Sequence, residues 1–408
     1  MMILSGDAPR KRIILVVLAI VGLALAFYYL SAAELTNLAE RSIVAAFLIF
    51  LLDMTLRRAG VSSRDRWMSL VIVSVVLTLA LAPFLFPGAK ALNVAEKICV
   101  YALLAASYDI LLGYTGIVSF AHVMFFGVGS YGVALALYGF GPGWGVIALG
   151  VGAGLLVSLA LALAIGLFSL RVQSIFFAMV TLAVAYAFNV LASQLSWLTG
   201  GEDGRSFQVP AALRPGFKLI DGAVFGLSIS GRVLSYYLVF ACCALLFLVL
   251  LRVVNSPFGR VLQAIRENPF RAEALGYRIV FHRTLATCIS AAGAALAGAL
   301  NAIWLHYIGP DTALSFSIQI DVLVIVVIGG MGSLYGAIAG AALFVVAENY
   351  LQALMGRASA GAADLGLPLL PGLFHPDRWL LWLGLMFILA VYFAPTGIVG
   401  KLRPRGDA

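Results

Sequence analysis

Long apolar runs separated by short polar or glycine-rich breaks recur along the whole chain. At about 20 residues per crossing of the hydrocarbon core, such runs predict membrane-spanning helices. Twelve are expected: Ile13–Leu30, Ser42–Leu56, Trp67–Phe86, Ala91–Leu112, Val123–Tyr138, Trp144–Leu170, Val172–Leu198, Val233–Leu251, Thr284–Leu305, Ser315–Ile328, Leu334–Leu354 and Trp379–Ala394. Val123–Tyr138 and Ser315–Ile328 are short for that thickness and are expected to be tilted, broken or re-entrant. One connector, residues 252–283, has a different pattern. Ser256-Pro257 and Asn268-Pro269 each set a helix N-cap residue before a proline suited to the first turn, and Gly276 supplies a stop, predicting short helices at Pro257–Glu267 and Pro269–Leu275. Val261, Leu262 and Ile265 form one apolar stripe, and Phe270, Ala274 and Leu275 another.

Composition makes this an all-α polytopic membrane protein of about 10 to 12 transmembrane helices, some broken or re-entrant. Of its 408 residues 63% are apolar and 11% charged, with mean hydropathy +1.06, against about 25% charged in soluble domains. The net charge of +8 is no nucleic-acid footprint, because the cations sit in short connectors where they set orientation. With the N-terminus inside, seventeen Lys and Arg fall on inner segments and eight on outer ones, with Lys97 within a span. That bias places both termini and the 252–283 connector in the cytoplasm. The apolar run after Arg10, Lys11 and Arg12 exceeds a signal-peptide core, so it is read as a span. The four cysteines lie in apolar runs without metal or redox spacing.

The expected organisation is an N-terminal extension of about three spans (1–90), a transmembrane core (91–395) and a basic cytoplasmic tail (396–408). The core carries the basic inner loop 252–283 and a glycine- and proline-rich outer loop 199–232. Six arginines against two glutamates make the inner loop basic. It could rest on lipid headgroups or dock a partner. Gly-rich breaks at Gly113–Ser119 and Gly329–Ser333 fall one in each half. Such paired breaks mark transport pathways, although both also fall where the chain must turn.

Several motifs are set aside. Gly127–Gly132 matches G-x-G-x-x-G but lies inside an apolar run with no preceding strand. Small residues there, and the pairs Gly150/Gly154 and Gly336/Gly340, suit close helix packing in lipid. The chain has no P-loop, so any ATP-driven action requires a partner engine. The histidines are scattered, without metal spacing. Among acids and bases inside spans, Asp53 and Asp109 near inner ends and Glu96-Lys97 near an outer end suit interfacial solvation or mutual pairing. Asp321 and Glu348 lie deeper and are expected to make polar contacts between helices or line a wet path.

Four segments carry a family resemblance: LGYTGIVSFAHVMFFGVGSYG (112–132), LTGGEDG (198–204), AIRENPFRAEALGYRIVFHRTLATCISAAGAALAGAL (264–300) and VVIGGMGSLYGAIAGAALF (326–344). From about Ala91 onward the chain resembles LivM-type permeases, the transmembrane subunits of branched-chain amino acid ABC importers. The resemblance implies that Arg266, Glu267, Asn268, Glu273, Ala274 and Gly276 form the loop that couples to an ATPase. Leu275 departs from the second alanine common in other ABC permeases. Tyr114, Thr115, Gly116, Ser119 and His122, with Gly329, Gly330, Gly332 and Ser333, become translocation-path candidates. Thr199, Gly200, Gly201, Asp203 and Gly204 become candidate contacts for a periplasmic solute-binding protein.

The implied partners are a LivH-like sister permease, LivG-like and LivF-like ATPase subunits, that binding protein and membrane lipid, with no nucleic acid. The implied place is a bacterial inner membrane. No catalytic residue, metal or cofactor is expected in this chain, since ATP and Mg belong to the ATPases. Relatives of this type serve branched-chain amino acids, other amino acids, urea or short amides, and aromatic acids. An ion-coupled secondary carrier working through Asp321 and Glu348, and a membrane-embedded enzyme, are the rival readings.

Overall fold

The structure, a computed structural model, describes residues 63–85, 88–169, 174–224, 227–364, 375–393 and 397. The expected spans Ile13–Leu30 and Ser42–Leu56, together with Asp53, lie outside the described residues. The chain divides into two compact units, one of residues 1–87, 220–228 and 401–408, the other of residues 88–219 and 229–400. In the first, the run expected as one span at Trp67–Phe86 forms helix α1 (Ser63–Ala80) and a separate turn α2 (Ala82–Leu85). Pro83 accounts for the division, because it lacks the N–H that a continuous helix would use.

The second unit is a helical bundle. Helix α3 (Ala89–Asp109) widens into a π-helical segment (Ile110–Thr115), and α4 (His122–Phe140), α5 (Trp144–Ser169), α6 (Ser174–Gln194) and the short α7 (Ser196–Thr199) follow. Strand β1 (Arg205–Ser206) follows; β2 (Lys218–Val224) and β3 (Leu227–Ser230) pair with each other and draw on residues 220–228 of the first unit, and the second unit resumes with α8 (Gly231–Val254), α9 (Pro257–Glu267), α10 (Pro269–Ala274) and α11 (Ile279–Leu305). Then come β4 (Tyr307–Ile308), α12 (Pro310–Ala313), α13 (Phe316–Gly329), α14 (Leu334–Asp364) and α15 (Trp379–Phe393). By length and composition, 8 helical stretches among the described residues can cross a membrane.

Two of these resolve the segments that looked short. The stretch expected at Val123–Tyr138 is a full helix of 19 residues, α4. The one expected at Ser315–Ile328 is a broken span in which α12 and α13 meet at Leu314 and Ser315, together running Pro310–Gly329. Helix α11 begins five residues before the expected Thr284, taking Arg283 into the helix, and α14 continues ten residues beyond Leu354. Helix α15 has 15 residues, about 22 Å at 1.5 Å per residue, which is short of a ~30 Å core.

Helix α3 is the central post. Its spanning stretch is 94% buried, against 22% for α5 and for α6, so α3 lies among other helices while α5 and α6 present apolar flanks. Helices α8, α11, α13 and α14 pack around α3. Lipid tails are as apolar as leucine, so contact between helices depends on close packing, and glycine supplies it here. A Cβ on Gly129 would run into the Ala295 backbone, and one on Gly298 into Phe126, which sets the approach of α4 to α11. Gly132 lies against Gly150 and Gly154 of α5, and Gly340 against Ile325 and Gly329 of α13. The small-residue pairs thus act as close-packing sites.

At the end of the bundle remote from α9 and α10, β1 pairs antiparallel with β4, Arg205 opposite Ile308 and Ser206 opposite Tyr307. This sheet ties the 199–232 connector to the end of α11. Gly298→Val should overpack the α4–α11 contact at a cost of about 1–3 kcal/mol and lower the melting temperature of the purified chain. Gly152→Val, where nothing lies within 4 Å, should leave it unchanged.

Candidate functional site

Helices α9 and α10 form a short elbow whose corners are fixed locally. Asn268 is extended (φ −154°, ψ 99°) and its side chain accepts from the Arg271 N–H, capping α10 as expected. Ser256 does not cap α9; its Oγ donates instead to the Val253 carbonyl at 2.6 Å. Helix α10 closes with a Schellman pattern, in which Gly276 at φ +92° donates to Glu273 and Tyr277 donates to Ala272. Leu262 and Ile265 are buried against the bundle, as the first apolar stripe implied. The second stripe is not buried: Phe270 is 83% exposed and Leu275 77%. Helical spacing alone could not tell a packed face from an open one. Glu267, Glu273, Ala274 and Gly276 share that open surface.

The elbow meets the two glycine-rich breaks at one place. The Arg266 guanidinium donates to the Gly113 carbonyl in the π-helical segment. Asp109, one turn earlier, is buried, and its Oδ1 accepts from the Gly332 N–H at 2.8 Å. Gly332 has φ +83°, and a Cβ there would stand 3.3 Å from both the Arg266 Nη1 and the Gly113 carbonyl. A Cβ on Gly113 would collide with the Asp109 carboxylate and the Gly332 backbone. Gly116, at φ +71°, lies under the Arg266 side chain. Gly330 (φ 113°) donates to Val326, and Gly329 packs on Gly336 of α14. Ser333, mostly buried, accepts from the Gly336 N–H with its carbonyl. Three chain segments far apart in sequence therefore share one knot: Asp109–Gly116, Arg266 and Gly329–Ser333.

Beyond the π-helical segment the backbone runs irregularly to His122, and several of its groups are met by the preceding helix end, by a side chain or by another helix. The Leu111 carbonyl accepts from the Thr115 Oγ1 and from the Gly116 and Ile117 N–H groups. Phe120 donates to the Thr181 Oγ1 of α6, Ala121 to the Ser119 Oγ, and Val123 to the Gln319 Oε1 of α13. His122 is buried among Ser107, Ser290 and Tyr108, its Nε2 lying 3.1 Å from the Ser107 Oγ and 3.2 Å from the Ser290 Oγ. Ser107 already donates to Leu104, and Ser290 to the Ser107 carbonyl. Both hydroxyls must then accept, so His122 carries its proton on Nε2. Tyr114, Thr115, Ser119 and His122 are thus all interior, and Gly116 is exposed. Thr181, Ser290 and Gln319 did not stand out in the sequence, although a lone glutamine in an apolar helix was a usable signal.

At the other end, Thr199 is buried and donates to the Ala192 and Leu195 carbonyls. Gly200, Gly201 and Gly204 take φ values of +89°, +68° and +65°, which explains glycine at each. The tight turn pushes Glu202 and Asp203 into the open, with the Tyr307 hydroxyl donating to the Asp203 carbonyl. Of the five expected contact residues, Asp203 is the one whose side chain the turn presents. Among charges within spans, Lys97 pairs with Glu348 of α14 at 2.7 Å, not with Glu96, which is buried on α3. Consecutive helical residues point about 100° apart, so neighbours in sequence could not face each other. Asp109 is likewise buried, and its Oδ1 is held by the Gly332 N–H. Among the described residues, no group of His, Cys, Asp and Glu could hold a metal.

A groove of about 660 Å³ opens on the flank of the bundle, lined by Val123, Met179, Tyr186, Asn189, Asp311 and Phe316 among others. It begins at Val123, in the first turn of α4 just past the first break, and reaches the α12–α13 break.

Residues 90–391 match the family model described as the branched-chain amino acid transport system permease component. The chain is 27% identical over 346 residues to the high-affinity branched-chain amino acid transport system permease protein LivM of Escherichia coli, covering 81% of this chain and 75% of that one. It is 28% identical over 330 residues to the corresponding protein BraD of Pseudomonas aeruginosa, covering 74% and 92%. No solved structure matches. Gly332→Ala should strain a left-handed residue inside the knot by about 1–3 kcal/mol, lowering the melting temperature of the purified protein. Gly139→Ala, in open space, should be neutral.

Proposed function

Because the chain belongs to the branched-chain amino acid transport permease family, we propose that it is the membrane-spanning subunit of an ATP-driven importer for branched-chain amino acids in a bacterial cytoplasmic membrane. It is a transport subunit, with no chemical step and no cofactor of its own. In this reading a sister permease completes the pathway, one of the two ATPase chains docks on the α9–α10 elbow, and a periplasmic binding protein delivers solute near Glu202 and Asp203. The lysine and arginine bias supports an inward-facing elbow and cytoplasmic termini. The printed functions of the LivM and BraD relatives support the choice of substrate.

The knot around Arg266 carries the proposal. A lever must be stiff, open on the side of its engine and attached to what it moves. The elbow is capped at Asn268 and closed by the Gly276 turn, exposes Phe270 and Leu275, and reaches both breaks through one guanidinium. When the ATPases close and displace the elbow, Arg266 transmits that displacement to the Gly113 carbonyl and, through the Asp109 link, to Gly332. The ends of α3 and α13 then move together. The flank groove beside them, mainly apolar with Asn189 and Asp311 in its lining, suits a solute with an apolar body and a polar head.

The test is uptake by the complete complex in liposomes. Arg266→Met keeps the stem and removes a charge-assisted hydrogen bond of about 1.5–3 kcal/mol, so ATP-dependent leucine uptake should fall roughly tenfold or more while the complex still assembles. Unchanged uptake would sink the lever. Uptake of urea or benzoate in place of leucine would overturn the substrate assignment and leave the lever standing.

A further inference from the structure

At the end of the bundle remote from the elbow lies a recess of about 270 Å³ lined by Asn93, Leu213, Arg232, Ser235, Trp304 and His306 among others. Its volume is many times the ~10–15 Å³ that one water requires. Arg232 stands at its side with its guanidinium over the Trp304 ring, 5.7 Å from the centroid, and donates to the Asn93 Oδ1 at 2.9 Å. Its other hydrogen-bond acceptor is the Ala89 carbonyl at 3.5 Å. Both acceptors are neutral, and among the described residues no carboxylate lies within ion-pair distance of Arg232.

The backbone adds positive potential there. Arg232 and Ser235 lie in the first turns of the 24-residue α8, and Asn93 near the start of the 21-residue α3. Helix N-termini carry partial positive charge and favour anions, so a cation at that point is placed against the dipole unless an anion joins it. Two lining groups also lack partners. Ser235 is 2% exposed and its Oγ has no hydrogen bond, and the Nε2 of His306 has none either. His306 sits at φ +55° in the turn after α11, and its ring is held toward the neutral form, first by burial and then by the charge of Arg232. A neutral ring can donate one N–H. Asn93, whose oxygen is engaged by Arg232, retains its amide nitrogen as a donor.

We propose that this recess binds the carboxylate of a small organic acid, with Arg232 supplying the charge and Ser235, His306 and Asn93 the hydrogen-bond donors. A neutral solute would leave the guanidinium uncompensated, and a cation would be repelled. The inference holds whichever solute the importer carries.

Ligand-observed NMR titration of the full-length chain in detergent, at constant ionic strength, tests it with acetate and its neutral isostere acetamide. Acetate should bind saturably, and acetamide at least roughly tenfold more weakly, the factor for a hydrogen bond to a charged group. Arg232→Gln should abolish acetate binding. Ser235 makes no hydrogen bond, so Ser235→Ala should preserve the fold and weaken acetate roughly tenfold. It decides the matter should Arg232→Gln fail to fold. Equal binding of acetate and acetamide, acetate binding unaffected by Ser235→Ala, or no saturable binding of acetate would each overturn the proposal.

Discussion

Backbone polar groups have no water to turn to inside a bilayer, and every interruption of a helix leaves some of them bare. Among the described residues the bundle interrupts its helices after α3 and after α13, as well as between α12 and α13, and much of its architecture answers the first two interruptions. Carbonyls in the last turn of a helix have no partner within it. That of Gly113 is met by Arg266, the Gly332 N–H is met by Asp109, and the segment before α4 is met by Thr181 and Gln319. Removing any one donor or acceptor would leave a polar group unsatisfied in a place where that is costly.

Glycine makes these meetings possible because it removes bulk where backbones must touch. At Gly129, Gly298, Gly132 and Gly340 neighbouring helices approach too closely for a side chain. At Gly116 and Gly332 the left-handed backbone turns the chain sharply and leaves room for Arg266 above it. The same residue type thus serves packing along the helices and reversal at their ends. The buried post α3 gains contacts on every side, while α5 and α6 keep flanks of Leu156, Leu163, Met179 and Tyr186 exposed.

How far the sequence could be read follows the range of the interactions. The Asn268 cap and the Gly276 stop depend on atoms within five residues, and both were legible. The span pattern was legible because burial in lipid is written residue by residue. Asp109 with Gly332, 223 positions apart, and Lys97 with Glu348, 251 apart, have no local signature. Each acid stood out as a charge in an apolar run, but its partner could not be named. Ser256 has the right residue type for a cap and turns back to Val253 instead, because the preceding helix end offers a carbonyl in reach. Phe270 and Leu275 had helical spacing, yet spacing says that residues share a face and not that the face is covered. The β1–β4 pair escaped notice because two-residue strands have no periodicity to detect.

The capped elbow has one further consequence. A segment that must order itself on contact spends part of its interaction free energy on lost conformational freedom, commonly several kcal/mol for a disordered stretch. Here Asn268, the Gly276 turn and the burial of Leu262 and Ile265 settle that ordering before any contact is made. The aromatic and aliphatic tips of Phe270 and Leu275 are therefore preorganised, and association can draw on nearly all the apolar area they cover.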